Sequence, residues 1–454
     1  MSKRGSFIAG IGAFLSAGAV YYFLPADCAE PARRMAAIFV IAALFWALEI
    51  IPLFATSIGI VLLQIFLLAG DHGIPELGKY GYRVFFNPFA SPIIMLFLGG
   101  FVLAQGFQRY NIDKNIAMRL LRLFGTRPYP FLLGLMIATA FLSMWISNTA
   151  TAALMIMMIH PFLSDLKHEK KFTKAIVLAV AFAAGIGGIA TPVSTPPNAI
   201  AIGMLEHQGI HINFFQWMKM AIPLEILLIL FISVLLYVSF RPSQKNLALN
   251  LDLKHPLNHR AKWVLGIGVL TAGLWMTSAW HGIHESVVAL VAVLLLTGSG
   301  LIGKAELKAV EWDILILMWG GLAMGEGMER SGLANWVIGL PLFSQQGFGL
   351  VIAFCIVSAL LSTFISNTAT VNLLIPIALS IPGENPVMLA TAIALASSFD
   401  IALPMATPPM AIAYGTGAVS VRDMLKVGII FSVVANIVLL AGFRYVIPRT
   451  IGLG

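Results

Sequence analysis

The sequence Ser-Asn-Thr-Ala stands at residues 147–150 and again at residues 366–369, each time inside a long apolar stretch. Each copy is followed by the sequence Thr-Pro-Pro, at 195–197 in the first case and at 407–409 in the second. Proline breaks helices, and lipid offers no hydrogen bonds to the backbone groups that a break releases. Two copies of a polar, helix-breaking pair in a hydrophobic chain are typical of a transporter with two symmetric half-sites.

The composition predicts a polytopic membrane protein. Of the 454 residues, 59% are hydrophobic and 11% are charged, and the mean hydropathy is +0.91. Soluble domains carry about 25% charged residues. The basic pair Lys3-Arg4 precedes an apolar stretch without a small-residue cleavage site, which favours a first transmembrane helix over a signal peptide. The two distant cysteines, Cys28 and Cys355, indicate neither a disulfide framework nor a metal site.

Other classes of protein fit the sequence less well. It contains no metal-ligand cluster, no nucleophile–base pair and no motif for an organic cofactor, so a membrane-embedded enzyme is not expected. A channel would lack the saturation and cation stoichiometry that two closed half-sites imply. The net charge of +8 does not indicate a nucleic-acid partner, because the basic residues are distributed according to the predicted sides of the membrane.

The basic residues predict the orientation of the chain. One predicted side of the membrane holds 20 of the 28 lysines and arginines, at Lys3, Arg4, 109–127, 167–174, 241–262, 304–308 and 422–426. The positive-inside rule makes this side cytoplasmic. We therefore expect a multi-pass protein of the plasma membrane, a bacterial inner membrane, with the N-terminus in the cytoplasm and the C-terminus outside.

The hydropathy pattern predicts an all-α polytopic fold with about 11 transmembrane helices and two re-entrant hairpins. The hairpins are expected at about 128–165 and 345–380, and each is followed by a broken helix, at about 173–206 with its break at 191–197, and at about 387–417. The other spans are expected near 7–24, 35–52, 54–70, 91–108, 218–240, 262–280, 285–302, 312–330 and 424–447. An amphipathic cytoplasmic stretch is expected at 112–126. The predicted regions are scaffold helices of the first repeat at 1–127, its transport region at 128–240, a cytoplasmic linker at 241–261, scaffold helices of the second repeat at 262–335 and its transport region at 336–454.

Three paired motifs indicate an internal duplication. The Gly-Gly pair at 99–100 returns at 320–321, and the Ser-Asn-Thr-Ala and Thr-Pro-Pro motifs return in the same order at nearly the same shift along the chain. Arg109 falls in the basic cytoplasmic stretch, whereas Arg330 is expected outside. The two units are therefore inverted repeats, which places binding at mid-membrane between the halves. The Gly-Gly pairs themselves are interpreted as close helix packing.

The hairpin tips are candidate ion and anion sites. A helix that starts in mid-membrane presents free N–H groups, which attract carboxylates, and a helix that ends there presents carbonyls, which attract cations. Asn148, Thr149, Asn367 and Thr368 add neutral donors, and serines 143, 147, 362 and 366 add hydroxyl oxygens suited to Na⁺. Neither motif contains Arg or Lys, so co-bound cations are expected to neutralise the substrate.

Four acidic or basic positions leave alternatives open. Glu326 and Glu329 are either gating groups or salt-bridged, interfacial carboxylates, and the second interpretation is favoured. Four histidines, His160, His207, His281 and His284, lack metal-like clustering and are expected near helix ends. Asp400 lies at membrane depth, where an ionisable group either tunes coupling or is hydrogen-bonded to neighbouring helices.

With these motifs in view, the chain resembles the divalent anion/sodium symporter (INDY-type) family along its whole length. The resemblance implies a homodimer with a fixed scaffold and a mobile transport domain that works as an elevator. It also implies Na⁺-coupled uptake of C4-dicarboxylates such as succinate, fumarate and malate, with two or more Na⁺ ions carried. The alternatives are a Na⁺-independent dicarboxylate exchanger and a symporter for citrate or sulfate.

The resemblance also implies site residues by position. One Na⁺ site corresponds to Ser143, Ser147, Asn148 and the backbone near Ser194, and the other to Ser362, Ile365, Asn367 and the backbone at Ala406. The substrate-binding residues implied are Asn148, Thr149, Thr195, Pro196, Asn367, Thr368, Thr407 and Pro408.

Three positions depart from the family pattern. Ser194 replaces a common glycine, Met410 replaces the asparagine that Asn198 keeps in the first half, and Asp400 replaces a small apolar residue. These departures bear on the number of cations and the range of substrates more than on the fold.

Overall fold

The described part of the chain is all-helical. The computed structural model describes residues 3–25, 27–69, 73–165, 169–244, 246–247, 257–339, 347–399 and 402–445, and none of these residues lies in a strand. Asp400 lies outside the described residues. The all-α prediction is confirmed.

The helices of the first half agree closely with the predicted spans. They are α1 (Lys3–Phe23), α2 (Glu30–Leu48), α3 (Leu53–Leu68), α4 (Tyr82–Phe86), α5 (Pro92–Arg109), α6 (Ile112–Phe124), α7 (Pro128–Ser143), α8 (Asn148–Asp165), α9 (Lys170–Gly187), α10 (Pro196–His207) and α11 (Phe214–Ser239). Helix α6 is the expected amphipathic stretch, and α7 with α8 forms the expected first hairpin. Two 3₁₀ turns at Pro75–Tyr80 and Asn87–Ala90 flank α4 and were not predicted.

The second half repeats this order. Its helices are α12 (His259–Met276), α13 (Ser278–His281), α14 (Glu285–Gly298), α15 (Lys304–Lys308), α16 (Trp312–Arg330), α17 (Leu333–Ile338), α18 (Phe348–Phe364), α19 (Asn367–Leu379), α20 (Pro386–Ser397), α21 (Pro408–Gly415) and α22 (Val421–Tyr445). The second hairpin is α18 with α19, as expected. Helix α17 follows α16 as α6 follows α5, but it is only six residues long.

Helix caps explain where the structure departs from the predicted bounds. Helix α11 begins four residues before the predicted start at 218, because Asn213 and Gln216 form a reciprocal capping box. Helix α12 begins three residues before the predicted start at 262, because the side chain of Asn258 accepts the N–H of Ala261 at 2.8 Å.

Among the described residues, five helices are long and apolar enough to cross a membrane. They are Gly5–Phe23, Glu30–Leu48, Tyr82–Arg109 (α4 and α5 together), Phe214–Ser239 and Val421–Tyr445. Six shorter apolar helices accompany them, including both arms of the second hairpin and the first arm of the first. A re-entrant hairpin arm does not need to span the bilayer, so short apolar helices are the expected form of these arms.

The chain forms two compact units. Unit 1 comprises Met1–Ile94, Ala199–His211 and Glu311–Ser397, and unit 2 comprises Met95–Asn198, Ile212–Val310 and Ser398–Gly454. Each unit therefore takes helices from both halves of the sequence, and each contains one complete hairpin.

Each unit is built around one buried helix. In unit 2, all thirteen residues from Ala175 to Gly187 in α9 are buried, and α7, α8, α11 and α21 pack around that helix. In unit 1, every residue of α20 from Leu389 to Ser397 is buried between α18 and α19. A helix that is apolar on all sides is suited to the centre of such a bundle. Because α9 and α20 directly precede the two predicted breaks, the bundle fixes the point where each helix ends.

Small residues let the helices pack closely. A Cβ atom at Gly320 would lie 2.7 Å from the Cα atom of Ser57 on α3, and one at Gly99 would lie 3.0 Å from the Cα atom of Ala289 on α14. Close backbone approach of this kind drives helix association in lipid, where the hydrophobic effect between helices is absent. The interpretation of the Gly-Gly pairs as packing positions is confirmed.

Candidate binding site

Both hairpins turn at the predicted motif. Helix α7 ends at Ser143 and α8 begins at Asn148, while α18 ends at Phe364 and α19 begins at Asn367. The serine before each new helix is its cap. Ser147 Oγ accepts the N–H of Ala150 at 3.4 Å, and Ser366 Oγ accepts the N–H of Ala369 at 3.2 Å.

The first-turn N–H groups at each tip are available to an anion. The N–H groups of Asn148 and Thr149 lie in the first turn of α8, and those of Asn367 and Thr368 lie in the first turn of α19. The first turn of a helix has no intrahelical acceptor for these groups, and the helix dipole favours negative charge there. Each tip is therefore chemically suited to one carboxylate.

Three oxygen atoms converge beside the first tip. Ser143 Oγ lies 2.9 Å from Asn148 Oδ1 and 2.7 Å from the carbonyl oxygen of Ala184. A hydroxyl group has one proton, so it donates to only one of these two acceptors at a time. We name Ser143 Oγ, Asn148 Oδ1 and Ala184 O the first oxygen cluster. Neutral oxygen atoms grouped in this way are the ligands that hard cations prefer.

A second cluster of the same kind lies beside the second tip. Ser362 Oγ is 2.7 Å from Asn367 Oδ1 and 2.7 Å from the carbonyl oxygen of Ser397. We name Ser362 Oγ, Asn367 Oδ1 and Ser397 O the second oxygen cluster. Each of its residues follows its counterpart in the first cluster at nearly the shift that separates the sequence motifs. The duplication therefore extends to the geometry of each half-site.

The carbonyls of Ala184 and Ser397 were missed by the sequence analysis. Every residue has a carbonyl group, so no residue type marks these two. A signal was nevertheless present, because both stand near the end of the helix that precedes a predicted break. The carbonyls near a helix end are the groups that a broken helix offers to a cation. Ala184 O also accepts the N–H of Gly188 at 3.2 Å, and a carbonyl oxygen has a second lone pair for another partner.

The loop between α9 and α10 is held by its own side chains. Asn198 Nδ2 donates to the carbonyl oxygens of Thr191 at 2.9 Å and Gly188 at 3.0 Å. Ser194 Oγ donates to the carbonyl of Thr191 at 2.8 Å and also contacts the carbonyl of Gly188. The hydroxyl that departs from the family pattern thus serves to hold the loop. Gly188 in turn packs directly on the Asn148 side chain.

The second broken helix differs at the position equivalent to Asn198. The side chain of Met410 is fully buried in α21 and, unlike that of Asn198, has no N–H or O–H group with which to hold a loop carbonyl. Thr407 is the residue before α21, and its buried hydroxyl has no hydrogen-bond partner among the described residues. The departure at Met410 therefore removes from the second half the contact that Asn198 supplies in the first.

The remaining predicted residues are placed as follows. In unit 2, Thr149 is exposed, Thr195 is buried and Pro196 opens α10, within the same unit as the first oxygen cluster. The residues predicted for the second half-site fall in different units. Unit 1 contains Ser362, Ile365, Asn367 and Thr368, and unit 2 contains Ala406, Thr407 and Pro408. Ile365 caps α18 through its N–H. The common role of this second set stays a prediction.

Two further threonines are candidate residues of the binding site. Thr151 and Thr370 hold equivalent positions in the two halves, and both are fully buried. Their hydroxyl oxygens have no hydrogen-bond partner among the described residues. An unpaired buried hydroxyl costs about 1–3 kcal/mol. Neither was predicted to be a site residue, although both follow the Ser-Asn-Thr-Ala motif directly.

Glu326 is salt-bridged, as the sequence analysis favoured. Its carboxylate pairs with Arg330 one turn along α16 and lies 2.8 Å from Nε2 of His207, at the end of α10. Glu326 and His207 line a cavity of about 250 Å³ in unit 1, together with Glu329 and Ser380. The cluster ties α10 to α16 within the unit.

A family model described as the sodium:sulfate symporter transmembrane region matches residues 10–448. The chain belongs to this family. As a member of the sodium:sulfate symporter family it is a multi-pass membrane transporter and not an enzyme.

Relatives of known name agree with this family membership. A protein of Staphylococcus saprophyticus called sodium-dependent dicarboxylate transporter SdcS is 32% identical over 488 residues, which span 98% of this chain and 91% of the relative. The SdcS protein of Staphylococcus aureus is 33% identical over 500 residues, spanning 99% and 94%. Among solved structures, the YdaH transporter of Alcanivorax borkumensis shares the fold with a TM-score of 0.60 and 16% identity, covering 91% of this chain and 98% of that one.

The contact between Gly188 and Asn148 gives a direct test of the first half-site. We expect Gly188→Ala to lower transport about tenfold, because losing a hydrogen bond to a charged group costs about 1.5–3 kcal/mol. The new Cβ atom would lie 2.7 Å from Asn148 Cγ, so the amide has to leave the first oxygen cluster. The measurement is initial uptake of labelled succinate into proteoliposomes.

The matched control for Gly188 is Gly266→Ala on α12. A Cβ atom at Gly266 meets no atom within 4 Å, so this variant adds the same methyl group without displacing anything. Both variants should reach the membrane in equal amounts, because Gly188 has ordinary right-handed helical backbone angles that alanine adopts freely. Wild-type uptake by Gly188→Ala would show that the Asn148 amide is not positioned by this packing.

Proposed function

We propose that this transporter carries C4-dicarboxylates such as succinate, fumarate and malate into the cell by symport with Na⁺. The observation that carries the proposal is the pair of equivalent oxygen clusters, each beside a helix N-terminus. One cluster alone would suit a cation, and one N-terminus alone would suit an anion. Their repetition in each half suits two cations and two carboxylate groups, which is the number that a dicarboxylate carries. The names of the SdcS relatives support the same substrate class and the same coupling ion.

Each half-site would contribute the same chemistry. Ser143 and Asn148, or Ser362 and Asn367, would replace part of the hydration shell of Na⁺ with oxygen atoms. The first-turn N–H groups and the hydroxyls of Thr149 and Thr368 would receive the substrate carboxylates. Asn148 and Asn367 would serve both ligands, because an asparagine side chain offers an acceptor oxygen and a donor nitrogen.

The absence of fixed positive charge explains why the ion is required. The motif stretches 143–149 and 362–368 contain no lysine or arginine. A dianion taken from water into a membrane cavity without counter-charge costs several kcal/mol or more. Bound Na⁺ would supply that charge and leave again with the substrate, so the empty site carries no net charge through the membrane.

The proposal includes an elevator mechanism, a homodimer, and an N-terminus in the cytoplasm with the C-terminus outside. The distribution of basic residues supports the orientation. The resemblance to the divalent anion/sodium symporter family supports the dimer and the elevator movement, with the two hairpins and broken helices in the moving part.

Uptake of labelled succinate into proteoliposomes tests the proposed function. An inward Na⁺ gradient should drive accumulation, and replacement of Na⁺ by choline should abolish it, because the site lacks the counter-charge that the dianion needs. Unlabelled succinate should compete strongly and butyrate hardly at all, because butyrate has only one of the two carboxylates of the proposed substrates.

Two other outcomes would identify the alternatives. Labelled succinate that enters only vesicles preloaded with unlabelled succinate, with or without Na⁺, would indicate an exchanger. Stronger competition by sulfate or citrate than by succinate would indicate a symporter for those anions, a possibility raised for sulfate by the family description.

A further inference from the structure

An apolar cavity lies behind the first half-site, entirely within unit 2. It has a volume of about 340 Å³ and is walled by α5, by α12 and by the end of α7 with the turn that follows it. Leu142, Trp145 and Ile146 line it from the hairpin, Val193 from the α9–α10 loop, and Val269 from α12. We call it the apolar cavity. A volume above about 300 Å³ is in the range of sites that bind small molecules.

The inner wall of the apolar cavity is the reverse side of the predicted site. Leu142, Ile146 and Val193 each stand one residue before a predicted Na⁺ ligand, at 143, 147 and 194. These three side chains are only 2%, 3% and 6% exposed. A molecule in the apolar cavity would therefore press on the chain segments that carry the first half-site.

An aromatic stack makes one side of this wall rigid. The Trp145 ring lies 6.3 Å from the Phe214 ring at an angle of 15°, and the Phe214 ring lies 5.1 Å from the Trp275 ring at 24°. Trp275 is fixed because its Nε1 donates to the carbonyl of Glu285 at 3.0 Å. The stack links the hairpin turn to α11 and α12, and both tryptophans line the apolar cavity.

The outer wall of the apolar cavity reaches the lipid-facing surface of the unit. Phe141, Val269 and Met276 also line it, and they are 41%, 64% and 39% exposed. In a multi-pass protein, large apolar side chains exposed in helices that carry no charge nearby face hydrocarbon. The apolar cavity is thus continuous from the bilayer to the back of the first hairpin tip.

Water is a poor occupant of such a space. A buried water needs two to four polar partners, and cavities lined by aliphatic and aromatic groups stay dry and take up apolar molecules. Hydrocarbon is the solvent on the outer side, and leaving the space empty forfeits the dispersion contacts of its lining. The occupant that this chemistry favours is a hydrocarbon chain.

We propose that the apolar cavity is a binding site for an acyl chain of a bilayer phospholipid, which supports the first hairpin tip from behind. Occupancy itself does not depend on the proposed function. The consequence for transport does, since the supported segments are those of the first half-site.

Gly273 offers a way to fill the apolar cavity without disturbing its walls. This glycine lines the cavity, and a Cβ atom built on it meets no atom within 4 Å. Gly273→Leu therefore places an aliphatic side chain where the acyl chain would lie. Gly266→Leu is the matched control, because Gly266 stands on the same helix with equally open space but does not line the cavity.

The first experiment is photolabelling in nanodiscs with a phosphatidylcholine that carries a diazirine near the end of one acyl chain. In the wild type, mass spectrometry should find label on Ile146 or Val193, which annular lipid cannot reach. Gly273→Leu should lose this label while keeping label on Leu270, a 56% exposed residue of the same helix. Gly266→Leu should be labelled like the wild type.

Three results would overturn the proposal. Label confined to Leu270 and similar exposed residues in the wild type would show that no acyl chain enters. Unchanged label on Ile146 or Val193 in Gly273→Leu would show that the label reports another location. Inner label obtained with a diazirine fatty acid but not with the phospholipid would assign the site to free fatty acid instead.

A second measurement covers the case in which Gly273→Leu does not fold, and uses Ala272→Leu, another lining position. A ligand that binds the folded state raises the melting temperature by mass action. Adding phosphatidylcholine to detergent-solubilised protein should raise the melting temperature of the wild type and of Gly266→Leu more than that of the filled variant. Equal shifts in all three would contradict the proposal. Neither experiment requires transport, so a failure here leaves the proposed function untouched.

Discussion

Replacing Asn148 or Asn367 by alanine is expected to lower succinate uptake about tenfold or more in each case, because each change removes a hydrogen bond to a charged group worth about 1.5–3 kcal/mol. Both side chains place an oxygen within hydrogen-bond distance of a buried serine hydroxyl, 2.9 Å in the first half and 2.7 Å in the second. Alanine removes this oxygen from the proposed cation site and the amide N–H groups from the proposed carboxylate site.

Initial rates of uptake into proteoliposomes, corrected for the amount of protein inserted, measure this effect. Asn258→Ala is the matched control, because among the described residues the Asn258 side chain serves to cap α12, and its loss should affect stability by about 1 kcal/mol without affecting transport. Each variant should also need more Na⁺ for half-maximal uptake. Near wild-type rates in both Asn148→Ala and Asn367→Ala would remove these residues from the site.

Succinate should bind at least several-fold more tightly in NaCl than in choline chloride, since coupling between two ligands of one protein is typically about 1–3 kcal/mol, or 5–150-fold. The physical reason is the lack of lysine and arginine in both motif stretches, so that Na⁺ is the counter-charge of the dianion. The carbonyls of Ala184 and Ser397 also favour Na⁺ binding. Each adds an oxygen with negative partial charge to the serine and asparagine oxygens of its cluster.

Calorimetric titration of purified protein at constant ionic strength measures this coupling, because both salts then screen charges equally. Linkage requires the reciprocal result, a Na⁺ affinity that rises by the same factor when succinate is present. Gly188→Ala should show a smaller difference than Gly266→Ala. Equal succinate affinity in the two salts would exclude obligatory Na⁺ coupling and favour the exchanger.

Most of the helical order could be predicted because membrane helices leave strong local signals. The first hairpin was expected at 128–165 and is observed as α7 and α8, from Pro128 to Asp165. The break was expected at 191–197, and residues 188–195 separate the two helices. Prolines that open helices and serines that cap them act within one turn, so their effect is visible in a short stretch of sequence.

The contacts of the half-sites could be predicted only in part. Serine and asparagine side chains stand out in an apolar helix, which is why Ser143 and Asn148 were identified. Their spacing along the chain does not show that they face each other, because the chain leaves the helix between them. The partner carbonyl at Ala184 is far from Ser143 in sequence and becomes its neighbour only when α9 packs against α7. Tertiary packing of this kind has no local signal.

The short elements at 75–90 were missed because they are too short to show a helical period. Helix α4 and the two 3₁₀ turns have five, six and four residues, too few for a period to be read. Their position is fixed by tertiary contacts, such as the bond from Trp319 Nε1 to the carbonyl of Phe85 at 2.8 Å. The role of Asp400 remains a prediction, because this residue lies outside the described residues.

The loop after α9 is held by an asparagine side chain and, among the described residues, the loop after α20 is not, and this difference bears on how such a protein evolves. Each half has its own hairpin and its own broken helix, yet the first half has Asn198 at the position where the second half has Met410. Mutations near one hairpin leave the other copy chemically intact. Selection can therefore act on the two halves separately, so that the loop of one half changes while the other half keeps its contacts.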